Sequence, residues 1–267
     1  MQQQKKWILM TGVSRGIGRS LSENLRKRGF FVCGLLRPVH LQSSHLELDE
    51  CLPWDLDLSW DSNQSELLLE FMTHHSVIGF IHGAGVLGPM NPIPQAASEV
   101  HWQNWWREYH STMRVNHTAG LELVFAVKSL LKSWTLQERD RQPFVMHLSS
   151  GAAVKPYAGW DAYCASKASM LMAFKALAAK VSAQELNVLS VAPGTVMTDM
   201  MQKVLAAKPE DFPALPKFKL LEQTGGLVTP DESASQICHW LVESLSEELA
   251  KWHGQLYDVR DNNSVMK

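Results

Sequence analysis

Residues 6–18 read Lys6-Trp7-Ile8-Leu9-Met10-Thr11-Gly12-Val13-Ser14-Arg15-Gly16-Ile17-Gly18. This stretch decides the fold. Its first residues have the length and apolar character of a short buried strand, and a helical pattern through Leu21 and Leu25 follows, closed by Gly29. A strand, a glycine-rich turn and a helix form a phosphate cradle, because the glycines allow close backbone approach and the helix N-terminus presents free N–H groups. The stretch therefore predicts a turn that binds a pyrophosphate.

The rest of the chain alternates between short apolar runs and helical patterns. Strands are expected near residues 6–11, 30–36, 51–56, 77–82, 143–149, 187–192 and 254–258. Helices are expected near residues 15–28, 62–75, 98–110, 115–134, 161–184 and 231–245. Such alternation predicts a Rossmann-type, doubly wound α/β fold, with a mostly parallel seven-stranded sheet and helices on both faces. No linker or repeat divides the 267 residues, so we expect a single domain over residues 1–267, with residues 1–150 mainly binding the dinucleotide.

A second informative feature is the spacing of Ser150, Tyr163 and Lys167. Tyr163 and Lys167 stand at i and i+4, so on a helix they share one face. An ammonium about 5 Å from a phenol, at an effective dielectric of about 20, stabilises the phenolate by roughly 3 kcal/mol. That corresponds to a pKa about two units below the usual value near 10, which makes the phenol a usable general acid. The alternative for this pair is an exposed lysine beside a packed tyrosine.

Together the turn and the Ser, Tyr, Lys set resemble the short-chain dehydrogenase/reductase family. Three further segments resemble its sepiapterin reductase and benzil reductase branch: residues 148–153, 156–164 and 208–212. The resemblance implies a catalytic tetrad of Asn116, Ser150, Tyr163 and Lys167. In it Tyr163 protonates the developing alkoxide, Ser150 donates to the same oxygen, Lys167 tunes Tyr163 and holds the nicotinamide ribose, and Asn116 completes a proton relay.

The resemblance also implies which residues bind the cofactor. In the turn these are Gly12, Ser14, Arg15 and Ile17. After the second strand Arg37 offers a guanidinium instead of a carboxylate, which favours the 2′-phosphate of NADP(H), with Arg15 able to approach the same phosphate. The alternative for Arg37 is a solvated loop residue.

Seven more cofactor contacts are implied further along the chain. Asp57 and Leu58 resemble the pair that meets the adenine, although Asp55-Leu56 is a rival on the same face of the expected strand. Where the family has Asn-Asn-Ala-Gly, this chain has His82-Gly83-Ala84-Gly85, so Ala84 keeps the close backbone approach. His82 is either a ligand or proton carrier, or a hydrogen-bonded structural histidine. Val196 and Thr198 match the segment that holds the nicotinamide carboxamide, and Tyr163 and Lys167 also contact the cofactor.

The substrate side of the site is implied by Ser150, Tyr163, the segment 199–226 and Asp258. Segment 199–226 contains three prolines and a Gly-Gly pair, and it is either a structured lid over the substrate or a simple surface loop. Asp258 resembles the acidic residue that anchors the amino-bearing ring of a pterin in sepiapterin reductases. Its alternative role is that of a solvated aspartate at the end of the last strand.

The composition limits which classes of binding partner the protein is expected to have. A formal net charge of −2 without a basic cluster argues against nucleic acid or an anionic membrane as an obligate partner, so the substrate is expected to be small. The N-terminus has no signal-peptide pattern and no apolar run reaches membrane-spanning length, so the cytoplasm is expected. The four cysteines lack metal-ligand spacing, so no metal is expected. Family resemblance implies a homodimer through helices near 115–134 and 161–184.

These features predict an NADPH-dependent carbonyl reductase that transfers hydride to a small ketone, diketone or pterin-like carbonyl. The alternative from another class is a non-catalytic NADP(H)-binding regulator that senses redox state. Measuring NADPH oxidation with a panel of carbonyl compounds discriminates between the reductase and the regulator.

Overall fold

The computed structural model describes residues 5–41, 46–58, 61–90, 99–136, 139–244 and 246–261. The strands are β1 Lys6–Thr11, β2 Phe31–Leu36, β3 Glu50–Pro53, β4 Ser76–His82, β5 Trp134–Leu136, β6 Arg139–Arg141, β7 Phe144–Leu148, β8 Asn187–Ala192 and β9 Leu256–Asp258. Seven of them form one sheet in the order β3-β2-β1-β4-β7-β8-β9, and every neighbouring pair is parallel. The doubly wound α/β fold is therefore confirmed. The strand order reverses between β1 and β4, and ligands of such sheets bind at this switch point.

The helices are α1 Gly16–Lys27, α2 Ser62–His74, α3 Glu99–Met113, α4 Ala119–Val127, α5 Asp161–Ala178, α6 Asp199–Leu205, α7 Leu215–Gln223, α8 Pro230–Glu243 and α9 Ser246–Lys251. A π-helical segment, Arg114–Thr118, joins α3 to α4. Positions 98 and 245, where two of the expected helices begin and end, lie outside the described residues.

Two expected helices and one expected strand are longer than in the structure, where that strand, β3, ends at Pro53 instead of residue 56. The helix expected to reach residue 134 ends at Val127, because the aromatic and β-branched residues that follow form β5, which pairs antiparallel with β6. The helix expected to reach residue 184 ends at Ala178, where His253 hydrogen bonds the freed Ala178 carbonyl. Segment 199–226 is not a plain loop, since it contains α6 and α7.

The sheet is covered on both faces. One face packs against α1 and α8 through a buried cluster that includes Leu21, Leu25 and Ile237. The other face packs against α2, α4 and α5 through a cluster that includes Leu68 and Phe174. Burial on both sides explains why the strands read as nearly continuous apolar runs, and it leaves the carboxyl edge as the place where polar side chains gather.

Within the residues described, no helix combines the length and the apolar character needed to span a bilayer. Among the same residues, no three His, Cys, Asp or Glu side chains are placed to hold a metal ion.

Candidate active site

The glycine turn has the close packing that a dinucleotide cradle requires. Gly12 adopts φ +76°, and a Cβ built there would lie 2.4 Å from the Ala84 backbone nitrogen. A Cβ at Gly18 would lie 2.2 Å from the Gly12 carbonyl oxygen. The Arg15 side chain makes no capping hydrogen bond to α1, so the first N–H groups of that helix stay available to an anion. The turn therefore fits a pyrophosphate.

Ser150, Tyr163 and Lys167 meet at the carboxyl edge of the sheet. Ser150 follows β7, where its Oγ accepts a 3.1 Å hydrogen bond from the Ala152 N–H, and its hydroxyl lies close enough to Tyr163 on α5 to lower the pKa of the phenol. Lys167 lies one turn further along α5, with Nζ 5.7 Å from the centre of the Tyr163 ring, and it donates a 2.8 Å hydrogen bond to the Leu148 carbonyl. Tyr163 and Lys167 are only 8% and 5% exposed. The spacing seen in the sequence is thus a compact, largely buried polar cluster.

The pKa values in this cluster differ from the expectation. Burial raises the pKa of Tyr163 to about 12, and the hydrogen bond from Ser150 only partly opposes it. Burial also lowers the pKa of Lys167 to about 8. The expected lowering of the Tyr163 pKa is therefore wrong for the protein without cofactor. The reason is that the cost of burying a phenolate exceeds the help from an ammonium that is directed at a backbone carbonyl.

Asn116 lies in the π-helical segment and is fully buried. Its Oδ1 accepts from the Val86 N–H at 2.8 Å, while Nδ2 donates to the Val86 carbonyl at 2.8 Å and to Ser166 Oγ at 2.9 Å. Asn116 thereby ties the loop after β4 to α5. A Cβ at Gly85 would lie 3.6 Å from Asn116 Oδ1 and 3.5 Å from Lys167 Nζ, so the two side chains flank the same small residue. All four expected tetrad members are within one region of the structure.

The structure gives Asp55 and Asp57, which periodicity left as alternatives, different surroundings. Strand β3 ends at Pro53, so Asp55 and Asp57 both lie in the turn beyond it and the expectation that they share a strand face is wrong. Asp55 Oδ1 accepts from the Asp57 backbone N–H at 3.0 Å, whereas Asp57 is exposed and its Oδ1 accepts from Ser111 Oγ at 2.6 Å. Leu58 is 61% exposed. Asp57 and Leu58 are therefore the pair that faces outward.

The two arginines expected near a 2′-phosphate are both exposed. Arg37 directly follows β2 at the carboxyl edge of the sheet. Arg15 lies in the glycine turn beside Ser14 and Ile17, and it forms a 3.3 Å ion pair with Asp199 at the start of α6. The pair joins the turn to the segment that follows β8.

Backbone pairing just outside segment 199–226 holds the two ends of this segment together. Val196 and Val228 form a β-bridge, in which the Met197 N–H donates to the Val228 carbonyl at 2.8 Å. Thr198 caps α6 by accepting from the Met201 N–H at 3.3 Å, and its Cγ2 would lie 3.5 Å from a Cβ at Gly16. The start of α6 therefore lies directly over the glycine turn.

An aromatic cluster joins the lid to the tetrad, and the residue-by-residue sequence interpretation missed it. Trp160 stacks on Phe212 with ring centres 4.7 Å apart and contacts Tyr163 edge-on at 5.6 Å. Phe218 of α7 contacts both Trp160 and Phe212. The signal was present in residues 156–164 and 208–212, which carried the resemblance without a stated role. Segment 199–226 thus contributes Phe212 and Phe218 to a buried aromatic cluster next to Tyr163.

Asp258 does not have a free carboxylate. Arg260 binds it through Nε at 2.8 Å and through its backbone N–H at 3.0 Å, and its second guanidinium nitrogen contacts the other carboxylate oxygen. The side chain of Asp258 is only 18% exposed. This aspartate is therefore neither a simple solvated residue nor an unoccupied acceptor.

Comparison with known proteins gives consistent matches. The model of the short chain dehydrogenase family matches residues 6–209. A benzil reductase ((S)-benzoin forming) of Bacillus cereus is 28% identical over 87% of this chain and 92% of its own length. A benzil reductase ((S)-benzoin forming) of Saccharomyces cerevisiae is 31% identical over 91% and 93%. A sepiapterin reductase of Xenopus laevis is 31% identical over 72% and 74%.

Solved structures share the fold at lower identity. A short-chain dehydrogenase/reductase of Saccharomyces cerevisiae superposes with a TM-score of 0.76 at 23% identity, covering 96% of this chain and 97% of the other. A Shigella flexneri protein described as a short chain dehydrogenase complexed with NADP has a TM-score of 0.71 at 22% identity, covering 96% and 98%.

Proposed function

The chain belongs to the short-chain dehydrogenase family, and from this premise we propose that it is an NADPH-dependent reductase of small aromatic ketones and diketones. The observation that carries the proposal is the buried pair of Tyr163 and Lys167 with the Ser150 hydroxyl beside it, at the same edge of the sheet as the glycine turn. A non-catalytic regulator that senses NADP(H) needs the cradle, but it has no use for a buried phenol beside a serine hydroxyl and a lysine.

Tyr163 is the proton donor in this proposal. Because burial raises its pKa to about 12, the phenol is protonated at neutral pH and can give its proton to a carbonyl oxygen that becomes an alkoxide. Ser150 donates to the same oxygen, and each hydrogen bond to a charged oxygen contributes about 1.5–3 kcal/mol. NADPH supplies the hydride when it is bound. Lys167 stabilises negative charge on Tyr163 after proton transfer, and Asn116, which flanks Gly85 together with Lys167, bonds Val86 in the loop after β4.

The cofactor would be held by this chain's turn and edge residues. Gly12, Ser14, Arg15 and Ile17 would surround the pyrophosphate, and Ala84 packs against Gly12. Asp57 and Leu58 would contact the adenine, while Val196 and Thr198 would hold the carboxamide. Arg37 favours NADPH over NADH, because a guanidinium suits a 2′-phosphate and no carboxylate follows β2 directly.

The substrate preference rests on two features of the lid side. Trp160, Phe212 and Phe218 are at most 6% exposed and form an apolar aromatic wall behind Tyr163, and an apolar wall suits an aryl ketone or diketone. Asp258 is already bound by Arg260, whose guanidinium neutralises its charge, so it is a weaker acceptor for the amino group of a pterin. Both features favour a benzil-like substrate over a pterin.

The Tyr163→Phe variant tests the function. We expect kcat for benzil with NADPH to fall by at least about 100-fold, because the lost hydroxyl acts only in the transition state. The dissociation constant of NADPH should stay within about threefold of the parent, since the ring is retained.

A matched control is Tyr257→Phe, which removes a hydroxyl from an equally buried tyrosine that stacks on Trp240 in the core. Its kcat should be unchanged. A Tyr163→Phe enzyme that keeps a third of the parental kcat would refute the role of Tyr163. A parent that binds NADPH tightly but reduces none of a panel of diketones and aryl ketones would support the regulator instead.

A further inference from the structure

A row of four buried polar side chains crosses the sheet beneath the site. Thr11, His82, His147 and Ser190 are in register on β1, β4, β7 and β8, and each is at most 1% exposed. Thr11 Oγ1 and His82 Nδ1 are 2.9 Å apart, and His147 Nε2 and Ser190 Oγ are 2.8 Å apart. The row therefore consists of two hydrogen-bonded pairs, and only the first reaches beyond the sheet to the segment that carries Asn116.

His82 connects the sheet to the π-helical segment. Its Nε2 lies 3.1 Å from the Val115 carbonyl oxygen, which can only accept, so Nε2 carries the proton. Nδ1 then accepts from the Thr11 hydroxyl, and Thr11 Oγ1 accepts in turn from the Ala84 N–H at 3.2 Å. Burial, aided by the nearby charge of Lys167, lowers the pKa of His82 to about 3, so the ring stays neutral. It is a fixed bridge and not a proton carrier.

The His82 ring is tightly packed against helix α4. A Cβ at Gly120 in α4 would lie 2.6 Å from both Nε2 and Cδ2 of His82, so the ring occupies the space that any larger residue at position 120 would need. Single π-helical turns inside α-helices are rare and are found mostly at functional sites. Here Val115 and Asn116 are adjacent in that turn, so the bond to the Val115 carbonyl fixes the backbone that carries Asn116.

We propose that His82 is a positioning residue that acts through Asn116. It anchors the π-helical segment to β1 and β4, so that the Asn116 side chain bonds Val86 and Ser166 and stands beside Lys167 at Gly85. Its effect on turnover rests on the proposed function. Its effect on the placement of Asn116 does not, and the two are measured separately.

The first experiment compares His82→Asn with His82→Gln. Asn keeps a group near Thr11 but falls short of Val115, whereas the Gln amide extends about as far as Nε2 and can donate to the Val115 carbonyl. We expect His82→Asn to lower kcat for benzil about tenfold at a nearly unchanged KM for NADPH, and His82→Gln to recover kcat to within about threefold. Ser190→Ala is the matched control, because it removes an equally buried hydrogen bond from the other half of the row. That variant should lose thermal stability and keep its kcat.

The second experiment tests the fit between the ring and α4. Gly120→Ala should lower kcat on its own, because the new methyl group displaces the ring or the helix. In the double variant His82→Asn/Gly120→Ala the shorter side chain leaves room, so the combined loss should be smaller than the product of the two single losses. A combined loss equal to that product would show that the ring and the helix are not coupled and would overturn the proposal.

The third measurement does not depend on turnover. The Val86 N–H is donated to Asn116 Oδ1, so hydrogen exchange of the peptide that contains Val86 should speed up in His82→Asn and recover in His82→Gln. Unchanged exchange at Val86 in His82→Asn, or an equal drop in kcat for His82→Asn and Ser190→Ala, would show that His82 only stabilises the fold. If the parent reduces no carbonyl, the proposed function fails, while the exchange result still decides the placement of Asn116.

Discussion

The environment of Tyr163 decides its chemistry more than its position on the helix does. The i, i+4 spacing brings Lys167 to the same face of α5, but burial raises the pKa of Tyr163 to about 12 and the ammonium bonds the Leu148 carbonyl. Tyr163 therefore starts as a secure proton donor. Its pKa is expected to fall when bound cofactor draws Lys167 away from the backbone and brings polar groups into the site.

At the same scale, Arg37 is expected to set cofactor preference. The Arg37→Asp variant should shift the ratio of kcat/KM for NADPH over NADH by at least about tenfold toward NADH, because it removes a hydrogen-bond donor to the 2′-phosphate and adds an acceptor for a ribose hydroxyl. Both values of kcat/KM are measured with benzil. Arg107→Asp, the same charge change on α3, is the control and should leave the ratio as it is. An unchanged ratio in Arg37→Asp would show that Arg37 does not face the phosphate.

The third prediction at the residue scale concerns Asp258. A free carboxylate that anchored a pterin would lose about 1.5–3 kcal/mol of transition-state binding on Asp258→Asn. Because Arg260 already binds this carboxylate, we expect Asp258→Asn to change turnover of a pterin ketone and of benzil by less than about threefold each. Arg260→Met should raise kcat/KM for the pterin ketone and leave that for benzil nearly unchanged. A large loss confined to the pterin ketone in Asp258→Asn would place Asp258 in the substrate site.

At the scale of elements, segment 199–226 is an ordered insertion whose two ends are held together. The Val196–Val228 bridge brings its two ends together, and Arg15 binds Asp199 across the glycine turn. Between these points α6 and α7 place Phe212 and Phe218 against Trp160. Prolines and glycines at the ends of two short helices produced the loop-like pattern in the sequence, because a helix of seven or nine residues has few positions for a periodic signal.

Helices α4 and α5 carry the prediction of a homodimer. Val124, Phe174 and Leu177 pack against their own sheet, but Phe125 and Met172 are 50% and 64% exposed. We expect a dimer at micromolar concentration, because large apolar side chains on the outer faces of two neighbouring helices are suited to a symmetric interface.

Light scattering of the parent, Phe125→Glu and Met172→Glu tests the dimer. The two variants should have the monomer mass, since each places a carboxylate in the interface. Leu69→Glu on α2, where Leu69 is 54% exposed, is the control and should remain dimeric. A parent with the monomer mass would refute the prediction.

At the scale of the whole molecule, burial of Lys167 makes stability depend on pH. Its pKa is lowered to about 8 in the folded protein from an ordinary 10.5, so between these values the unfolded chain binds a proton that the folded protein has lost. The free energy of unfolding therefore increases with pH across this window, by up to about 3 kcal/mol. Tyr163 has the opposite effect only above pH 10, because its pKa is raised.

Urea unfolding between pH 7.5 and 10, without cofactor, measures this effect. The parent should have a more positive slope of unfolding free energy against pH than Lys167→Met, in which the titrating group is gone. Lys175→Met, on an exposed part of α5, is the control and should match the parent. Equal slopes for the parent and Lys167→Met would show that the lysine is not buried as described.

The sequence by itself determined the framework and the membership of the site. All seven strands of the main sheet, the glycine turn and the shared helix face of Tyr163 and Lys167 could be predicted, because each depends on local periodicity or on a spacing of a few residues, whereas Asn116 was implied by the family resemblance alone. Because the strands are apolar on both faces, a parallel sheet with helices covering both faces is the arrangement to expect.

Only the tertiary structure decided how those residues behave. The pKa of Tyr163, the exposed position of Asp57, the pairing of Asp258 with Arg260 and the bond from His82 to Val115 all depend on where the backbone turns and on what covers each side chain. His82 and Val115 are 33 residues apart in the chain. Burial and hydrogen-bond partners arise from such distant contacts, and a local pattern carries no information about them.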